Sequence, residues 1–193
     1  MTSVIFCNSH CLRDRAIDCP ETAIKGIVKG VKLAFLEHNS KLNLKLDLLL
    51  DADSPYAIRS GLNTYFSQGL LRGLELVEDL SQPLIVVPKT GEGNVVFCQI
   101  YFQDNLVRWD NSGTWNRLDS LRQLAARLEC DLFPNVERDF LMSQSDLLLN
   151  QLNWSSEQGK QFLVEKYRLT SRQFLSDWQL ADFVLTLWGL AQD

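Results

Sequence analysis

Histidine is nearly missing from this 193-residue chain, which has two imidazoles, His10 and His38. That scarcity removes most routes to general-base catalysis, nucleophile activation and histidine-rich metal binding. No serine stands in a G-x-S-x-G elbow, so a triad hydrolase has no local support either. No apolar run approaches the roughly 20 residues that a membrane span requires. The N-terminal Met1–Cys7 stretch lacks the basic region followed by an apolar one that marks a secretory signal. Internal repeats and low-complexity segments are missing as well. A broad basic field is also lacking: 19 Lys and Arg stand against 24 Asp and Glu, for a net charge of -5. Such a balance disfavours a protein that coats nucleic acid, although a local basic patch remains compatible with it. The expectation is a soluble, cytoplasmic protein with no membrane partner.

What is present is ordinary globular composition, 46% hydrophobic and 22% charged, enough for one core and a small satellite module. The five cysteines (Cys7, Cys11, Cys19, Cys98 and Cys130) are odd in number and scattered. That usage fits free thiols in a reducing compartment better than a disulfide framework.

The apolar period changes near Pro134. Before it, Leu42-Asn43-Leu44-Lys45-Leu46-Asp47-Leu48 alternates as a half-buried strand does. After it, Leu180, Phe183, Val184, Leu187 and Trp188 recur at helical spacing. The pattern predicts an α+β fold, with a mainly antiparallel sheet covered by helices and a small all-helical C-terminal module. The expected division is an α+β domain over 1–135 and a helical module over 136–193.

In the front half, residues 3–7 read as a buried strand. A helix is expected from near Pro20, with Ile24, Ile27, Val28, Val31 and Phe35 on its apolar face. Gly26 and Gly30, four apart, would let another backbone pack closely against it, and Lys25, Lys29 and Lys32 would form a solvated stripe. A strand follows over 42–50, then a second helix from Ser54-Pro55 towards Leu80, with a break expected at Gly61, Gly69 or Gly73. Leu84–Val87, Val95–Phe102 and Leu106–Trp109 read as three antiparallel strands, and 115–131 as a helix. In the tail, helices are expected at 144–152, 156–167 and 177–191. Ser155-x-x-Gln158, Thr170-x-x-Gln173 and Ser176-x-x-Gln179 each match the reciprocal capping box.

Candidate chemistry is thin, and no residue set forms a catalytic signature or a cofactor motif. Cys7, His10, Cys11 and Cys19 have the residue types of a zinc site but not its two spaced pairs. Asp51 and Asp53, at the end of an apolar strand, are placed as a Mg²⁺-binding carboxylate pair would be. Over this short stretch they resemble the aspartate pair of haloacid dehalogenase-like phosphatases, but the downstream acidic pair of that family is missing. The alternative is that they cap the following helix. Lys89-Thr90-Gly91-Glu92-Gly93 is glycine-rich yet flanked by strands, so it reads as a hairpin turn and not a phosphate loop. Lys160, Lys166, Arg168 and Arg172 form a local basic excess near Phe162, Tyr167 and Phe174, a candidate contact for RNA or single-stranded DNA. Trp109 and Trp115 flank the loop Asp110–Gly113 and are candidate interface aromatics. Three functions therefore stand: a non-catalytic adaptor subunit of a larger complex, a nucleic-acid-binding accessory protein, and a Mg²⁺-dependent phosphate-handling enzyme at Asp51 and Asp53.

Overall fold

A computed structural model describes residues 3–7, 23–38, 41–110 and 114–192. The fold is α+β, and the chain divides into two compact units, Met1–His38 with Asn43–Leu132, and Asn39–Leu42 with Phe133–Asp193. The first unit holds most of a seven-stranded sheet. Its strands are β1 (Ser3–Cys7), β2 (Ile24–His38), β3 (Lys41–Asp51), β4 (Pro55–Gly61), β5 (Leu84–Thr90), β6 (Val96–Phe102) and β7 (Asn105–Leu106). They lie in the order β1-β4-β3-β2-β5-β6-β7. β1 pairs with β4 in parallel, whereas β3–β4, β2–β5, β5–β6 and β6–β7 pair antiparallel.

β3 behaves as its alternation requires: Leu44, Leu46, Leu48 and Leu50 are buried on one face. Its partner β4 sets Ile58 opposite Leu48 and Ser60 opposite Leu46. The helix α1 (Tyr65–Leu76) starts where Thr64 accepts a hydrogen bond from Ser67 N. It buries Phe66, Leu70 and Leu74, one residue per turn, and its Ser67 hydroxyl hydrogen-bonds Ser60 on β4. Gly69 does not interrupt α1. A side chain there would place its Cβ 2.8 Å from the Cys98 carbonyl oxygen, so the glycine lets the helix sit directly on β6. A second helix, α2 (Arg117–Arg127), is capped by Asn116 and buries Leu121, Leu124 and Ala125.

Two expectations for this unit are overturned. Residues 24–35 are not helical but belong to β2 (Pro20 itself lies outside the described residues). The apolar residues fit helical spacing only if the glycines are ignored. Ile24, Gly26, Val28 and Gly30 are all buried, while Lys25 and Lys29 are exposed, which is a period of two with glycine in two inward positions. A Cβ on Gly26 would approach the Asp51 carbonyl oxygen to 2.8 Å, so the close approach of another backbone is real but belongs to a strand. The β-branched content of the segment favours that strand, and its backbone groups find partners across the sheet. Beyond the β5 pairing, Leu33 N donates to Leu132 O at 2.8 Å, and Val31 N donates to Cys130 Sγ at 3.4 Å.

The helix expected at Ser54-Pro55 is likewise a strand. Residues 52–54 make the bend of a hairpin in which Asp51 pairs with Pro55. Proline is tolerated here as the first residue of β4, where it need not donate to a ladder. The β5–β6 hairpin forms as expected, with a single 3₁₀ turn at Glu92–Asn94. The third strand is shorter than expected, spanning Asn105–Leu106 alone.

The second unit contains α3 (Arg138–Gln151), α4 (Ser156–Tyr167), a 3₁₀ turn at Arg172–Phe174, and α5 (Asp177–Leu190). The tail is helical as its spacing predicts, though α3 begins well before residue 144. Ser155 with Gln158 and Ser176 with Gln179 form reciprocal capping boxes. At the middle signal the cap is Ser171, not Thr170: its side chain accepts from Gln173 N. Leu175 and Leu180, both buried, occupy the positions of a hydrophobic staple around the Ser176 cap. The core of this unit is Leu141, Leu148, Leu163, Leu180, Phe183, Val184 and Leu187. Phe183 takes the ring of Phe162 at 5.9 Å and that of Tyr167 edge-on at 6.3 Å. Among the described residues no helix is long and apolar enough to cross a membrane.

Candidate functional site

Asp51 closes β3 and its carboxylate lies 3.6 Å from Lys29 Nζ on β2, with both side chains about half exposed. Asp53 is exposed in the bend that leads into β4. Because a strand follows and not a helix, the capping role expected for this pair is overturned. Among the described residues no group of three His, Cys, Asp or Glu side chains is placed to hold a metal ion. His10, Cys11, Cys19 and the Cys7 side chain lie outside the described residues. Lys89 and Thr90 end β5 and are exposed.

Trp115 is built into the junction of α1 and α2. Its indole Nε1 donates to Glu75 Oε2 at 3.0 Å, and Glu75 Oε1 accepts from the Ser120 hydroxyl at 2.6 Å. The guanidinium carbons of Arg72 and Arg117 lie 4.8 and 5.9 Å from the Trp115 ring centroid. Arg117 donates to Asn63 Oδ1 at 2.6 Å, and burial pushes its pKa down. Trp109 is half-buried just before the loop. Within the sheet itself, Arg59 holds the largely buried Asp47 directly opposite it, with two contacts of 2.6 Å, and this hydrogen-bonded carboxylate raises the pKa of Arg59.

The four basic residues of the tail are not equivalent. Lys166 Nζ lies 2.9 Å from Asp182 Oδ2 and donates to the Thr186 hydroxyl at 2.6 Å. Arg172 lies 2.6 Å from Asp146 Oδ1 and also donates to the Ser145 hydroxyl. Two of the four charges are thus engaged by carboxylates of the same unit. Lys160 and Arg168 are exposed, Arg168 as the left-handed C-cap of α4 with φ 61°.

The features that organise this surface carry little local signal in the sequence. Asp182 lies within an apolar helix at 4% exposure, where it accepts from the Tyr167 hydroxyl at 2.8 Å. Its one signal was a carboxylate inside the run Leu180–Leu185. Arg138 donates to the carbonyls of Gln173 and Leu175, both at 2.9 Å, and pairs with Asp177 at 2.7 Å. That grip fixes the 3₁₀ turn on the start of α5. The turn and the first turn of α5 then display Phe174, 67% exposed, and Trp178, 50% exposed. Trp178 is steadied from behind by the Phe133 ring, edge-on at 5.5 Å. Nothing in the local sequence marks Arg138 as the clamp, because its partners lie more than 30 residues away.

No protein-family model and no solved structure matches the chain. A 47-residue stretch is 43% identical to slr1353, an uncharacterized protein of Synechocystis sp. (strain ATCC 27184 / PCC 6803 / Kazusa). The match covers 24% of this chain and 16% of that protein, so the chain spans a small part of the relative's length.

Proposed function

We propose that this protein is a non-catalytic binding subunit of a larger cytoplasmic complex, working through protein–protein contacts. The observation that carries the reading is the exposed pair Phe174 and Trp178, held on a turn that Arg138 pins in place. Large aromatics dominate interface energetics, and a rigid display loses little conformational entropy on binding. Direct nucleic-acid binding has weaker support, since Asp182 and Asp146 already take up the charges of Lys166 and Arg172. A Mg²⁺-dependent phosphate chemistry at Asp51 and Asp53 has weaker support still, because Asp51 faces a lysine.

The test is capture of the full chain from its native host, followed by identification of co-purifying protein and nucleic acid. A protein partner that survives nuclease and moderate salt is the expected result. Recovery of nucleic acid alone, released by salt, would overturn the adaptor reading.

A further inference from the structure

Three carboxylates belong to the helix starts that build the Phe174 and Trp178 platform: Asp177 precedes Trp178 in the chain, and Glu137 and Asp139 flank the clamp Arg138. Glu137 is the N-cap residue of α3, Asp139 lies in its first turn, and Asp177 lies in the first turn of α5. All three residues are exposed. Arg138, whose guanidinium spans from α3 to the 3₁₀ turn, brings these two helix starts together. It is committed to Asp177 and backbone carbonyls, and Arg172, which opens the 3₁₀ turn, is committed to Asp146 of α3. Glu137 and Asp139 have no ion-pair partner among the described residues. With Asp146 counted, four carboxylates stand against these two guanidinium groups, which leaves the segments net negative. The Trp178 indole N–H has no protein acceptor among the described residues, and half of the side chain's surface is exposed, which leaves an indole available to a cation.

We infer that this platform docks a basic, apolar segment of a partner protein, one that presents an Arg or Lys beside a large apolar side chain. The apolar side chain covers Phe174, while the cation lies against Trp178 and is drawn by Glu137, Asp139 and Asp177. An arginine suits the site best, because its flat guanidinium stacks on an indole and reaches a carboxylate at the same time. A nucleic-acid occupant is disfavoured, since its phosphates would meet the same carboxylates. The inference rests on the binding-subunit reading and names the kind of partner.

The experiment pans the full chain against a phage-displayed library of random peptides, then titrates the enriched peptides by fluorescence anisotropy. Enriched peptides are expected to carry Arg or Lys next to Trp, Phe, Leu or Ile. Phe174→Ser and Trp178→Ser should each weaken binding by about tenfold or more. The pair Glu137→Lys and Asp139→Lys should weaken it further at low salt than at high salt. Because Phe174 is the more exposed of the two, its variant keeps the test valid should Trp178→Ser lose stability through Phe133. Peptides without a basic bias, or equal binding by all variants, would overturn the inference. So would a concentration-dependent dimer that Phe174→Ser abolishes, which would make a second copy the occupant. Binding of single-stranded RNA that Phe174→Ser abolishes would overturn it in favour of nucleic acid. If the partner captured from the host binds Phe174→Ser, Trp178→Ser and wild type alike, this platform fails while the adaptor reading stands. If capture recovers no protein, the adaptor reading fails.

Discussion

Arg127 shows how much one side chain can organise. α1 ends with no basic residue in its last turn, and Val77 leaves it in an extended conformation. Its orphan carbonyls are met from outside, by Arg127 of α2, which donates to Leu74, Val77 and Glu75 at 3.1, 2.6 and 3.3 Å. Arg127→Met keeps the aliphatic stem and removes the donors. It should lower stability by about 1–3 kcal/mol, read as a fall in denaturation midpoint at constant m-value. Arg127→Lys should restore only part of that, since an ammonium cannot span several carbonyls as a guanidinium does. At Asp182, substitution by Ala removes the acceptor of the Tyr167 hydroxyl and the carboxylate beside Lys166, whereas Asn keeps an acceptor for the hydroxyl. Asp182→Ala should cost about 1–3 kcal/mol and Asp182→Asn clearly less, by the same measurement. Neither role is visible in the sequence, because a charged residue carries no local mark of a partner that is 15 to 53 residues away.

At the scale of elements, local capping chemistry was legible and packing-dependent elements were not. Ser176 and Gln179 cap α5 within four residues of chain, so their geometry needs nothing distant. Ser176→Ala should cost about 1 kcal/mol, while Thr170→Ala should be close to neutral because Ser171 does the capping there. β2 is the opposite case. Helical spacing fits its apolar side chains alone and ignores the glycines that stand in buried strand positions. Gly26→Ala separates the two readings. In a helix it would raise stability by about 1 kcal/mol. In β2, where its Cβ would meet the Asp51 carbonyl oxygen at 2.8 Å, it should instead lower stability by about 1–3 kcal/mol, read from the shift in thermal or denaturant midpoint.

For the whole molecule, the division between Leu132 and Phe133 puts a short non-helical stretch, 134–137, ahead of α3. Limited proteolysis should cut first within 134–137 and spare 138–145, which is already helix; first cuts inside β5 or β6 would count against two separable units. The sequence alone determined the α+β class, the helical tail and two capping boxes, because these follow from short-range periodicity and hydrogen bonds between near neighbours. It also determined the β3 strand, whose alternating leucines can satisfy one face only when extended. Tertiary structure decided whether 24–35 and 55–61 became strands, since the first pairs with the distant β5 and the second, beyond its hairpin with β3, pairs with the distant β1. It likewise decided the fate of the basic tail residues and the display of Phe174 and Trp178. Charge and aromatic content can be counted in a sequence, but the neutralisation of Lys166 by Asp182, and the hold of Arg138 on the turn below Phe174, exist only after the helices pack and bring those groups together.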